Sequence, residues 1–130
     1  METGATRQRT EGELVKRILI VEDEYLIALD LAEGVRQLGC DVLGPVGRVD
    51  AAMDLVEAKP DIDAALLDVN LNGERVFPVA DRLIARDVPV VLMTGYDEST
   101  IPGRYASINS FTKPVTRAML CDALATLSPS

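Results

Sequence analysis

Short apolar runs alternate along this chain with stretches of helical period, and each run ends in polar residues. Ile18-Leu19-Ile20-Val21 stops at Glu22-Asp23-Glu24, and Ala64-Ala65-Leu66-Leu67 stops at Asp68. Runs so short, closed by turn formers, predict strands buried on both faces. The same reading places strands at 41–44, 88–93 and 110–112. Pro89 falls at the start of one of them, where a missing N–H costs least.

Between the strands the period changes. Ile27, Leu31, Val35 and Leu38 predict an amphipathic helix over 25–38, stopped by Gly39. Asp50 is the predicted N-cap of a helix through Lys59, with Ala52, Leu55 and Val56 facing in, and Pro60 ends it. Val76, Val79, Ala80, Leu83 and Ile84 form a third stripe, with Pro78 tolerated in its first turn. Thr116 is the predicted cap of a last helix with Leu120, Ala123, Leu124 and Leu127 inward, and Val115 and Leu120 as its hydrophobic staple. Residues 96–109 carry Pro102-Gly103 and no clear stripe, which predicts at most a short or mobile helix. Residues 1–16 and 128–130 read as tails around one domain at 17–127.

Strands alternating with helices predict an α/β fold, a five-stranded parallel sheet covered on both faces. Right-handed crossovers put every strand's C-terminal end on one edge, where ligands bind. Glu22 and Asp23, Asp68, Thr94 and Lys113 then converge on one cleft; only the second strand, ending at Gly44-Pro45, brings nothing reactive.

Composition narrows what that cleft does. At 130 residues and 48% apolar, the chain supports one core without disulfide or metal staples. Acidic residues outnumber basic ones, 21 to 13, for a net charge of -8, which argues against nucleic acid as a partner. With no His, there is no imidazole base, ligand or phosphoacceptor. Cys40 and Cys121 match no metal or redox spacing and read as buried thiols in a reducing cytosol. No apolar run approaches the ~20 residues of a membrane span, and residues 1–16 lack a signal-peptide core. A soluble cytoplasmic protein is expected, with monomer the default.

Three carboxylates close together raise one another's pKa unless a hard cation lies among them. Oxygen donors without imidazole favour Mg²⁺, or Mn²⁺, over zinc. Adding the Lys113 ammonium and the Thr94 hydroxyl makes a site for transferring a phosphoryl group onto Asp68.

The blocks 18–24, 66–68, Thr94-Gly95 and Lys113-Pro114, in that order and spacing, resemble the four motif blocks of response-regulator receiver domains. The resemblance covers about 17–127. It implies a doubly wound (βα)₅ fold of flavodoxin-like type, strand order 2-1-3-4-5, an order for which a chemotaxis receiver is a standard example. It implies Asp68 as phosphoacceptor from a sensor histidine kinase, and a signalling protein in place of a turnover enzyme. It implies Asp23, Asp68 and the Asn70 main-chain carbonyl as Mg²⁺ ligands, with Glu22 acting through water. Lys113 would contact the phosphoryl group, Thr94 would swing to bond it, and the Lys113-Pro114 bond would be cis. The chain looks like a single-domain regulator, acting on a target or histidine phosphotransfer protein, or as a phosphate sink. Residues 89–96 are similar to an alphaproteobacterial subgroup with a Phe-Ala-Thr-Gly-Tyr-like motif, although Leu92-Met93 stand where it has Phe-Ala. That subgroup pairs with kinases of the HWE or related type, and several members act in stress signalling.

Most receivers carry Tyr or Phe three residues before the lysine. Here that position is Ser110, and strand alternation points the following Phe111 to the opposite face. Tyr96, beside Thr94 and Gly95, is then either the conformational readout or a rim residue of the cleft. Other readings stay open. Glu22 and Asp23 suit a helix's first turn, Asp68 suits a turn cap, and Thr94 suits a capping hydroxyl. An aspartyl-phosphate phosphohydrolase would want a second acid where Asn70 stands. A flavodoxin-type nucleotide or flavin binder would want a phosphate loop where Glu22-Asp23-Glu24 stand.

Overall fold

The computed structural model describes residues 16–95 and 101–126. The chain runs β1 (Arg17–Val21), α1 (Tyr25–Gln37), β2 (Asp41–Val46), α2 (Val49–Ala58), β3 (Ala64–Asp68), a hairpin of β4 (Asn70–Leu71) and β5 (Glu74–Arg75), then α3 (Phe77–Ala85) and β6 (Val90–Thr94). A 3-10 turn at Gly103–Tyr105, β7 (Asn109–Thr112) and α4 (Arg117–Thr126) complete it. The main sheet is parallel throughout, in the order β2-β1-β3-β6-β7. Leaving out the hairpin, that is 2-1-3-4-5, the doubly wound order of receivers.

Strand alternation divides the interior into two cores. Leu19 and Val21, Ala65 and Leu67, and Val90 and Leu92 face α2 and α3. Ile18 and Ile20, Ala64 and Leu66, and Val91 and Met93 face α1 and α4. β1, β3 and β6 are buried on both faces because helices cover both.

Several elements depart from the sequence reading. α1 buries Ala28, Leu31, Ala32, Gly34 and Val35, while Ile27 and Leu38 are exposed. The buried stripe is rotated toward small residues because α4 comes close. A Cβ on Gly34 would meet Arg117 and Leu120 side-chain atoms at 2.7 Å. Asp50 is not the N-cap of α2. That place falls to Arg48, and Asp50 sits in the first turn, taking the Ala51 N–H at 2.7 Å and pairing with Arg48. β2 continues through a cis Gly44–Pro45 bond to Val46, since Gly44 adopts φ +91°. Pro89 lies just before β6 and still serves it, its carbonyl accepting the Ala65 N–H at 3.0 Å. Ile84 turns to solvent at the end of α3.

Elsewhere the local chemistry holds. Gly39 takes φ +86° just past α1, Pro78 lies in the first turn of α3, and the Thr116 hydroxyl accepts the Met119 N–H at 3.1 Å. Val115 and Leu120 pack into one core. The thiols are not buried: Cys121 is exposed and Cys40 intermediate. Position 121 lies off the inward stripe of α4 formed by Leu120, Ala123 and Leu124. Among the described residues of the β6–β7 crossover, the 3-10 turn is the only helical piece.

Candidate functional site

The site's side chains arrive on four strand ends. β1 delivers Glu22 and Asp23, β3 delivers Asp68, β6 ends at Thr94, and β7 leads into Lys113. Register locks these ends together. Asp68 pairs with Met93 and Thr94 with Thr112, and the Lys113 N–H donates to the Thr94 carbonyl at 2.7 Å. The Lys113–Pro114 bond is cis.

One open cleft of about 310 Å³ is lined by Asp23, Asp68, Asn70, Gly95 and Lys113, among others. Glu22, Asp23 and Asp68 each offer a carboxylate oxygen within 4.8 Å of the others. Glu22 and Asp68 are nearly sealed, at 3% and 4% exposure. Lys113 Nζ stands 3.0 Å from Asp68 Oδ2 and 3.1 Å from Glu22 Oε1. The backbone helps on either side. The Glu24 N–H donates to Glu22 Oε2 at 3.0 Å, and the Asn70 N–H to Asp68 Oδ1 at 3.3 Å. Just past β2, Gly47 packs against the backbone of Asp23, where a Cβ would lie 3.2 Å from the Asp23 Cα.

Burial dominates the electrostatics. It pushes the Glu22 carboxyl up to about 7, against the Glu24 amide and Lys113, which pull it down. Burial also raises Asp68, against Lys113. For Lys113 burial works downward, but Asp68 and Glu22 outweigh it and the ammonium is held above its usual range. One ammonium therefore serves two buried acids and satisfies neither fully. Glu22 Oε1 has the Lys113 ammonium 3.1 Å away but no aligned hydrogen bond. Hard oxygen donors, a carboxylate pair raised by desolvation and a buried oxygen left without an aligned donor together fit a divalent cation.

The remaining predicted residues are distributed as follows. Thr94 is buried beneath the cleft, its hydroxyl 3.4 Å from the Phe111 carbonyl. That is a long contact, easily exchanged. Phe111 packs its ring into the α1/α4 core, so only its carbonyl reaches the site. Asn70 spends its side-chain oxygen on the Gly73 N–H at 2.7 Å, closing the hairpin. Tyr96 lies outside the described residues. Glu24, Asn72 and Gly73 also line the cleft and were missed, because turn residues carry no periodic signal.

Comparison with known proteins agrees with this architecture. Residues 18–125 match the family model of the response regulator receiver domain. The solution structure of SdrG from Sphingomonas melonis Fr1 superposes with a TM-score of 0.78 at 42% identity, covering 87% of this chain and 96% of that one. The receiver domain of Erythrobacter litoralis PhyR superposes at 0.76 with 28% identity, covering 89% and 95%. The transcriptional regulatory protein PdtaR of Mycobacterium tuberculosis is 31% identical over 104 residues, 78% of this chain and 49% of that protein. The chain thus spans about half the length of that curated relative.

Proposed function

The chain belongs to the response regulator receiver family, and from that premise we propose that Asp68 accepts one phosphoryl group from a phosphohistidine of a sensor kinase. The observation that carries this is the Asp68 carboxylate, buried at a strand end between Lys113 Nζ at 3.0 Å and the Glu22–Asp23 pair. An Asp68 oxygen attacks phosphorus in line, a P–O bond forms, and the P–N bond breaks with its electrons leaving on the imidazole. Lys113 neutralises charge on the equatorial oxygens. Thr94 exchanges its weak contact with the Phe111 carbonyl for a phosphoryl oxygen. Asp23, Asp68 and the Asn70 carbonyl would hold Mg²⁺ or Mn²⁺ with Glu22 behind them. Bound there, the ion would neutralise the phosphoryl oxygens.

An apolar surface supports the partner assignment. Tyr25 and Leu26 of α1 are each 74% exposed, and Leu29 beside them is exposed too. Leu26, Ile27, Pro114 and Val115 wall a recess that includes Lys113. A helical, histidine-bearing domain of an HWE-type or related kinase, or of a phosphotransfer protein, would dock there with its imidazole over the cleft. The phosphorylated receiver then acts in the cytoplasm by binding a target or by draining phosphoryl groups from a kinase. Among the described residues no helix is long and apolar enough to cross a membrane. The phosphohydrolase reading is disfavoured, because Asn70 is an amide already committed to the hairpin and holds no acidic proton. The nucleotide-binding reading is disfavoured by three acids where phosphate would lie.

Incubation with a small-molecule phosphodonor and Mg²⁺, followed by intact-protein mass spectrometry, tests this. One added phosphoryl group is expected, absent in Asp68→Asn. Continuous release of phosphate with no stable adduct would overturn the reading.

A further inference from the structure

The crossover between β6 and β7 contains one fully buried residue among those described, Tyr105, at 3% exposure. Its ring stacks on Phe77 with centroids 5.1 Å apart, and the Arg104 guanidinium covers it 4.6 Å from the centroid. Its hydroxyl donates to an Asp81 carboxylate oxygen and lies 3.3 Å from the Phe77 carbonyl. Arg104 closes the ring of contacts with Asp81 at 3.1 Å. Burial, then the Asp81 carboxylate, pushes the phenol up to about 12, while Arg104 first and Tyr105 second hold the Asp81 carboxyl down. The hydroxyl proton stays on Tyr105 and the charge on Asp81.

The placement of this clamp is informative. β3 and β6 are neighbours, paired through Asp68 and Met93. The segment leaving β3 carries Asn70, turns through the hairpin and enters α3 at Phe77. That hairpin is fastened back to β3 by the Val76 N–H on the Val69 carbonyl at 3.0 Å. The segment leaving β6 carries Thr94 and Gly95 and later presents Tyr105. The two segments that diverge from the site are rejoined at Tyr105. Thr94 pairs with Thr112 on β7, and the Ile108 N–H just before β7 donates to the Tyr105 carbonyl at 3.0 Å, so a shift of Thr94 toward Asp68 would reach α3 at the Tyr105 contact. The position usually given to an aromatic on β7 holds Ser110, which is exposed, and the Phe111 ring beside it packs into the α1/α4 core.

We propose that Tyr105, through Asp81 and Phe77, is the positioning residue that passes the state of Asp68 from the crossover to α3. This rests on Asp68 being the phosphoacceptor. The hydroxyl is the transmitting group; the ring provides packing. Loss of the hydroxyl leaves the chemistry at Asp68 in place and removes the remote response.

The test uses the full chain labelled for amide NMR, with Mg²⁺ and beryllofluoride as the phosphoryl mimic. In the unmodified protein, amide shifts change both at the site, around Asp68 and Lys113, and on α3 at Asp81 to Leu83. In Tyr105→Phe the site changes persist and the α3 changes fall at least threefold. Tyr105→Leu, which removes the stack as well, abolishes them. Asp81→Asn, which keeps an acceptor for the hydroxyl, retains most of the response. If Tyr105→Phe retains the full α3 response, the proposal is wrong while the acceptor assignment stands. If beryllofluoride leaves the unmodified protein's site amides unmoved, the acceptor assignment fails first.

Discussion

Asp68 and Asp81 are both aspartates with a basic partner close by, Lys113 at 3.0 Å and Arg104 at 3.1 Å, yet their carboxyls shift in opposite directions. Asp81 is solvated, so its partners decide and its carboxyl is held low. Asp68 is sealed with Glu22 around one shared ammonium, so desolvation decides and both carboxyls are pushed up. A cation at hydrogen-bond distance does not by itself make a settled ion pair. The Asp81 cluster fastens two segments together. The strand-end cluster is left short of positive charge, the condition that favours taking up a divalent cation.

Breaking the strand-end cluster at its centre gives the largest effect. Asp68→Asn is expected to abolish phosphoryl incorporation, read by mass, while leaving the metal-free melting temperature equal or higher because a buried charge is gone. Next, Lys113→Met removes the only ammonium at the site among the described residues. Incorporation from a small phosphodonor is expected to slow on the order of 10²-fold, the typical cost of one charge-stabilising donor, measured by quenched time courses.

Glu22→Gln sharpens the contrast through pH. In metal-free protein, Glu22 holds its proton up to about 7 when folded but loses it near 4.5 when unfolded. Between those values the folded state binds more protons, so stability falls as pH rises through that window. Urea midpoints should decline from pH 4.5 to 7 in the unmodified protein, decline less in Glu22→Gln, and decline less with saturating Mg²⁺. The same variant should weaken Mg²⁺ about 10-fold by calorimetry, the cost of losing a group that supports a ligand. The smallest effect is at the other cluster. Asp81→Asn is expected to move the melting temperature by no more than about 2 °C, since solvated pairs contribute little, and to leave Mg²⁺ affinity unchanged. A change in Mg²⁺ affinity there would erase the distinction between the two clusters.

The strands and their polar ends were legible because a doubly buried strand has little choice of composition. Apolar runs four to six residues long, each closed by an acid or hydroxyl, located β1, β3 and β6 within two residues. The inward face of α1 was legible only at Leu31 and Val35. Ala28, Ala32 and Gly34 carry little hydrophobic weight, and their value lies in how closely α4 approaches. Asp50 was misplaced because a capping residue and a first-turn acid look alike until the backbone is fixed. Tyr105 escaped notice as an aromatic without periodic neighbours in a segment with Pro102 and Gly103. Its meaning depends on Phe77 and Asp81, more than twenty positions earlier and on another element.

The separation between Glu22 and Lys113, 91 positions along the chain, has a consequence for biogenesis. The acids of β1 and β3 emerge from the ribosome well before the lysine that holds them. A nascent chain that ends before β7 carries a strand-end trio of carboxylates with no ammonium. On the proposed assignment of Asp68, such a chain lacks the charge that Lys113 lends to an acyl phosphate, however well its first half is folded. Full competence to accept a phosphoryl group would then arrive only with the last strand.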